Sequence, residues 1–122
     1  MCWVSAEATQ KVAEKDFYVY KIGQVLKDGT FVSHYKYFKY VPKTRNKTIS
    51  LIVQVPCRSV HIIQQGYHSY LTEETAKYVR DIWNTPGEIG IFEVPIGATI
   101  YVNYKLREVV STDIKYLGVL KL

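Results

Sequence analysis

Acidic residues are absent from a long central segment of this chain. Residues 29–72 contain no Asp or Glu, although acids flank the segment at Asp28 and Glu73. The segment contains all three histidines and the cations Lys36, Lys39, Lys43, Arg45, Lys47 and Arg58. Folded into a sheet, it would give a surface of positive potential with nearby imidazoles, which suits phosphate or another anion.

Cysteine is also scarce, since the chain contains only Cys2 and Cys57. Two cysteines are too few for a disulfide framework, and neither has a second Cys or His at the spacing of a structural zinc site. We therefore expect reduced thiols in a cytoplasmic protein, with no metal and no cofactor.

No apolar run approaches the ~20 residues that cross a bilayer, so no membrane partner is expected. The 122 residues fit a single domain. Sparse apolar residues at 1–15 predict a weakly structured N-terminal arm or a short helix. The predicted globular domain spans residues 16–122.

Catalytic motifs of high specificity are missing as well. The sequence has no Walker loop, no GxGxxG, no GxSxG and no His pair with an intervening Glu. This absence favours a binding protein over an enzyme.

Tyrosine is abundant, with eleven residues in the chain, and it has high strand propensity. Aromatic and β-branched runs predict strands at 17–22, 48–55, 89–94, 99–102, 108–111 and 114–120, and a strand or an irregular extended segment at 31–41. A second short apolar stretch spans residues 60–63. The sequence Lys27-Asp28-Gly29-Thr30 predicts a hairpin turn after the first of these strands. Residues 42–47 are interpreted as a basic loop.

One helix is predicted at about 73–84. Thr72 is a suitable N-cap, Glu73 and Glu74 lie in the first turn, and Trp83 belongs to an apolar series at helical spacing. The fold class is therefore α+β and strand-dominant, with five to seven strands in a small twisted sheet or in split sheets.

Candidate ligand contacts lie around the segment Gly66-Tyr67-His68-Ser69-Tyr70. Glycine permits an unusual backbone angle, so His68 and Ser69 could be presented beside a helix N-terminus, where backbone amides attract anions. The alternative is that His68 only donates a hydrogen bond to a neighbouring carbonyl. Further candidates are Lys21, His34 and Tyr35 for the anion, and Glu108 for a sugar hydroxyl.

The order of these pieces resembles small uncharacterised proteins of gut bacteria and their phages. The resemblance is carried by Cys2, by the segment from Gly66 to Ser69, and by a Pro-x-Gly-x-x-x-Tyr element that starts at Pro95 and ends at Tyr101. It covers most of the chain and implies a phage or mobile-element protein.

A more distant resemblance is to the ADP-ribosyltransferase-like fold. Lys21, the Ser69-Tyr70 pair and Glu108 would fill the places of its first-strand cation, its Ser or Tyr before a helix, and its late glutamate. The Ser-Thr-Ser triplet of that fold is missing here. The resemblance thus implies nucleotide or ADP-ribose binding more than transfer.

These observations predict a phage or mobile-element accessory protein that binds a phosphate-bearing, nucleotide-like ligand, with sequestration of a signalling nucleotide as one role. The alternative is a structural or protein-interaction module, either a homo-oligomer or a component of a phage particle. An ADP-ribosyl-type transferase is a third hypothesis. Nucleic acid is a further partner class, because aromatic and basic residues alternate between His34 and Tyr40.

Overall fold

The computed structural model of the chain describes residues 3–5, 9–34, 38–47, 52–54, 61–65, 67–84 and 87–120. Within these ranges the backbone forms thirteen strands and one helix, α1 (Glu73–Ile82). The strands are β1 (Trp3–Ser5), β2 (Thr9–Val12), β3 (Phe17–Val25), β4 (Phe31–Ser33), β5 (Lys39–Tyr40), β6 (Arg45–Lys47), β7 (Ile52–Gln54), β8 (His61–Gln65), β9 (Tyr67–Tyr70), β10 (Glu88–Val94), β11 (Thr99–Asn103), β12 (Glu108–Ser111) and β13 (Asp113–Val119).

The strand-dominant α+β class is confirmed, but the expected number of five to seven strands is wrong. The larger sheet alone contains ten strands among the described residues. Part of the excess comes from short polar strands: β2 lies in the predicted arm, and β6 lies in the predicted basic loop. Such strands have no apolar alternation, so only their pairing with β11 and β13 defines them.

The predicted strand or irregular extended segment at 31–41 is also divided. Its ends form β4 and β5, while residues 35–37 lie outside the described ranges. The predicted hairpin turn at Asp28 and Gly29 is confirmed, because β3 and β4 pair antiparallel on either side of it.

The larger sheet is antiparallel, with the strand order β2-β11-β12-β9-β3-β10-β13-β6. Strand β4 pairs with the end of β3, and β5 pairs with β4. A separate sheet of three strands has the order β1-β8-β7. The long strand β3 therefore lies at the centre of the larger sheet, and β2 and β6 end its path.

One face of this sheet carries the main hydrophobic core. Side chains alternate between the two faces of a strand, and in β3 the buried positions Val19, Lys21 and Gly23 share the core face. The register places Phe92 opposite Val19, and Phe31 packs edge-on against Phe92 with 5.3 Å between the ring centroids. Five aromatic rings form the centre of this core: Phe31, Tyr40, Tyr67, Phe92 and Tyr116.

Helix α1 contacts β3, β9 and β10 on the opposite face. Its predicted N-cap is confirmed, because the Thr72 hydroxyl accepts a hydrogen bond of 3.2 Å from the Thr75 backbone amide. Ala76 and Ile89 are fully buried but lie outside the main core cluster, so they belong to the layer between helix and sheet. The helix ends at Ile82, with Trp83 as its C-cap, slightly before the predicted end.

Candidate functional site

Lys21 lies inside the protein, with only 4% of its surface exposed. Its ammonium group donates a hydrogen bond to the backbone carbonyl of His68. The rings of Tyr40 and Phe92 lie beside the ammonium group, with centroids at 5.4 and 5.8 Å. Burial lowers the pKa of Lys21 to about 7, because desolvation disfavours the charged amine.

The pairing of β3 explains how a lysine is accommodated there. Along one edge of β3, Tyr20 pairs with Tyr70 of β9, whereas Gly23 pairs with Ser33 of β4. Lys21 lies between these two pairings, at the point where the strand next to β3 changes from β9 to β4. Its amine bonds the His68 carbonyl at this junction, so the sequence-predicted anion contact instead has a backbone partner.

Ser69 shares the interior with Lys21. It is 5% exposed and lies on the core face of β9, together with Tyr67 and Leu71, which pack against the core. Its hydroxyl has no hydrogen-bond partner within the described part of the chain. The fold thus brings Lys21 and Ser69 to the same side of the sheet.

His68 and Glu108 lie on the opposite face. The register pairs His68 with Val110 and Tyr70 with Glu108, so these side chains project away from Lys21 and Ser69. Both ring nitrogens of His68 are shielded from solvent. Burial, and secondly the carboxylate of Glu108, raise the pKa of Tyr70.

The remaining candidates lie elsewhere. The His34 amide donates a 3.0 Å hydrogen bond to the Ile22 carbonyl, and its Nε2 atom lies 3.0 Å from where a Cβ on Gly87 would be. Tyr35 and Gly66 fall outside the described residues. The structure therefore separates Lys21 and Ser69 from Glu108 and His68 by the thickness of the sheet.

The acid-free segment acquires acidic neighbours from other strands. Arg45 of β6 forms a salt bridge with the buried carboxylate of Asp113 on β13, in which Arg45 Nε is 2.9 Å from Asp113 Oδ2. In the β3–β4 turn, the backbone hydrogen bond from Thr30 is the largest cause that lowers the pKa of Asp28, and the nearby charge of Lys39 adds to it. The positive potential of this segment is therefore smaller than the sequence predicts.

A cavity that the sequence did not predict lies at one end of the core. Its volume is about 300 Å³, and it opens where β2 and β11 meet the connection between β2 and β3. The more buried lining residues are Ala13, Phe17, Leu71, Ile100 and Val102, and the exposed ones are Lys11, Val12, Glu14, Lys15 and Tyr104. The cavity therefore has an apolar floor and a mostly polar mouth.

Lys11 and Tyr104 meet at this mouth. The Lys11 ammonium donates a hydrogen bond to the Tyr104 hydroxyl and lies 4.9 Å from the centroid of its ring. Lys15 adds a second cation to the lining, against the single acid Glu14. With two lysines and one glutamate, the described lining has a formal net charge of +1. The exposed cations Lys105 and Arg107 follow Tyr104 in the adjoining turn.

Sequence reasoning missed this site because residues 11–15 were assigned to an arm. Only the pairing of β2 with β11 places Lys11 opposite Ile100 and brings it to the face that carries Tyr104. A weak signal was present in the turn from Tyr104 to Arg107, where an aromatic residue is followed by two cations.

Within the described ranges, no group of three or more His, Cys, Asp or Glu residues is placed to hold a metal ion. The one helix there is too short and too polar to span a membrane. No family model, curated protein or solved structure shows a significant match to this chain.

Proposed function

We propose that this protein binds a small phosphate-bearing, nucleotide-like ligand in the cavity beneath β2 and β11. The observation that carries the proposal is the placement of Lys11, Lys15 and Tyr104 at the mouth of a cavity with an apolar floor. Ligand sites in proteins are mostly apolar clefts with a few placed polar groups, and about 300 Å³ is the lower end of their usual volume.

Two lysines suit a phosphate because a hydrogen bond to a charged group contributes about 1.5–3 kcal/mol. The ring of Tyr104 is 61% exposed and can serve as a stacking platform for a planar group. Lys11 already holds this ring through its hydrogen bond, so one cation and one aromatic ring are positioned together before a ligand arrives.

Titration calorimetry with adenosine monophosphate, and with inorganic phosphate as a second probe, tests the proposal. We expect the double variant Lys11→Ala, Lys15→Ala to bind the nucleotide at least tenfold more weakly, a loss of about 1.4 kcal/mol. The loss arises because both charge-assisted contacts to the phosphate are removed.

The double variant Lys27→Ala, Lys47→Ala is the charge-matched control, and exposed Lys47 lies on β6, at the other end of the sheet from β2. Lys27 is an exposed lysine in the β3–β4 turn, and Phe17 of the cavity lies at the other end of β3. At ~3.3 Å per residue the two ends of this strand are roughly 25 Å apart, so the control changes net charge without touching the cavity. Equal weakening in both variants would mean that the cavity is not the binding site.

Sequestration of a signalling nucleotide, by a phage or mobile-element protein in the cytoplasm, is the role that we propose for this binding. The source in this role rests on the resemblance of the segments around Gly66 and Pro95 to small uncharacterised proteins of gut bacteria and their phages. We propose binding without ADP-ribosyl transfer, because Lys21 and Ser69 face the core while Glu108 lies on the opposite face. The residues that a transferase would need in one cleft thus lie on different sides of the sheet.

A second candidate function is association with another copy of the chain. Helix α1 exposes Tyr78, Ile82 and Trp83 on its outer side, and Trp83 is 67% exposed. The helix carries three acidic and two basic residues, a net charge of −1, in a chain of formal net charge +5. This apolar, slightly acidic face is therefore complementary in charge to the remainder of a second copy. The mass of the protein in solution tests whether it forms oligomers.

A further inference from the structure

Among the residues that the structure describes, the floor of the cavity contributes no side chain that can form a hydrogen bond. Ala13, Phe17, Leu71, Ile100 and Val102 are all apolar, and they are the less exposed part of the lining. All hydrogen-bonding side chains of the lining lie at the mouth, namely Lys11, Glu14, Lys15 and Tyr104. The deep and the shallow parts of the site therefore recognise different chemical features.

Discrimination between two bases of the same shape requires polar partners for their edges. A site that hydrogen-bonds a particular group rejects an analogue without it strongly, whereas an apolar surface discriminates mainly by size. Stacking on a ring is tolerant of base identity, because every base has a π-face. An apolar floor with one exposed aromatic ring supplies stacking and contact area, without a partner for a specific base edge.

The anionic group has a separate place. Lys11 and Lys15 are both exposed at the mouth, so a phosphate bound there remains partly hydrated and avoids the cost of burying a charge in the apolar floor. A ligand that satisfies both parts carries a negative group at one end and a ring or apolar body at the other. The volume of about 300 Å³ leaves room for one such ring system.

We infer that the cavity selects its ligand by negative charge and by one stackable ring face, and that it does not distinguish nucleobases of equal size. The inference rests on the proposed function and specifies its ligand class as aryl or nucleoside monophosphates. Purines and pyrimidines still differ in affinity, because their rings cover different areas of the floor.

Matched pairs of mononucleotides test this inference by titration calorimetry. Adenosine and guanosine monophosphates share a ring system and differ at the base edge, as do cytidine and uridine monophosphates. We expect the dissociation constants within each pair to agree within about threefold, since the two nucleotides differ only at a base edge with no hydrogen-bonding side chain on the floor. Phenyl phosphate should also bind, whereas adenosine without its phosphate should bind at least about tenfold more weakly.

Variants at Tyr104 separate the ring from its hydroxyl. Tyr104→Ala removes the stacking platform and should weaken all four mononucleotides by a similar factor. Tyr104→Phe keeps the ring and should retain most of the affinity, although Lys11 loses its acceptor.

A preference greater than tenfold inside either pair would overturn the inference and leave the proposed function standing. If no monophosphate binds, the proposed function is overturned together with the inference. Binding of adenosine as strongly as its monophosphate would also overturn the inference, because charge would then contribute nothing to selection.

Discussion

At the scale of single residues, Lys21 shows how a sheet can bury a cation. Its amine donates a hydrogen bond to the His68 carbonyl, at the point where the strand paired with β3 changes from β9 to β4. The ring faces of Tyr40 and Phe92 lie beside the amine. The hydrogen bond and the rings offset part of the desolvation cost, since a cation over an aromatic face is attracted by its quadrupole. The remaining cost appears as the lowered pKa of about 7.

This pKa makes the stability of the protein depend on pH. The unfolded state keeps an ordinary lysine pKa of 10.5, so between pH 7 and 10.5 it binds more protons than the folded state does. The free energy of unfolding should therefore rise with pH across this window, by at most about 1.4 kcal/mol per pH unit. Well below pH 7 both states are protonated, and the cost of burying the charge is fully present.

Lys21→Met provides the comparison, because methionine has a similar volume and no charge. We expect the stability of the unmodified protein minus that of the variant, measured by urea unfolding, to be nearly flat below about pH 6 and to rise from about pH 7 to 9. The loss of a donor for the His68 carbonyl is independent of pH, so it changes the level of this difference and not its slope. A flat difference up to pH 9 would show that the Lys21 amine is hydrated in the folded protein.

At the scale of secondary-structure elements, glycine permits the close packing of β3, β4 and β10 around one ring. A Cβ on Gly23 would lie 2.2 Å from the Val32 carbonyl oxygen and 2.7 Å from the Phe31 ring. A Cβ on Gly90 would lie 2.8 Å from the rings of Phe31 and Phe92. The fully buried Phe31 fits there because β3 and β10 have no side chain at Gly23 and Gly90.

Gly23→Ala should destabilise the protein by about 1–3 kcal/mol, the usual cost of overpacking a core. Rotation of the Phe31 side chain cannot relieve the whole clash, because the Val32 carbonyl belongs to the backbone. Gln24→Ala is the control, because Gln24 is exposed on the same strand and should change stability by less than ~0.5 kcal/mol. Equal denaturation midpoints for the two variants would contradict the packing around Phe31.

At the scale of the whole molecule, charge and apolar surface are distributed unevenly. Lys11 and Lys15 lie at the cavity mouth, while α1 and its C-cap present Tyr78, Ile82 and Trp83 beside acidic residues. Large aromatic side chains exposed in this way are enriched at protein interfaces. The two surfaces differ in both charge and position, so ligand binding and self-association can be tested separately.

Sedimentation velocity over a range of protein concentrations tests association through α1. We expect the unmodified protein to form oligomers at the higher concentrations and the variant Ile82→Ser, Trp83→Ser to remain monomeric, because the apolar area that drives association is removed. Leu106→Ser is the control, since Leu106 is exposed on the β11–β12 turn instead of on the helix. A monomer at every concentration would remove self-association as a function of this face.

The local sequence determined much of the secondary structure. Thr72, Glu73 and Glu74 predicted the start of α1, because capping and dipole effects act within one turn. The turn at Asp28 and Gly29 predicted the β3–β4 hairpin, because turn geometry depends on a few adjacent residues. Runs of β-branched and aromatic residues likewise located β10, β11 and β12.

Only the tertiary structure decided where the chemical groups lie. The identity of a residue does not reveal whether its strand is central or at an edge, so Lys21 was expected at a ligand and is found in the core. The cavity is formed by segments that are far apart in the chain, with Lys11, Leu71 and Tyr104 joined by strand pairing. Pairing between distant strands depends on the packing of the whole chain. Local patterns therefore predicted many of the elements, but neither the order of the strands in the sheet nor the site between them.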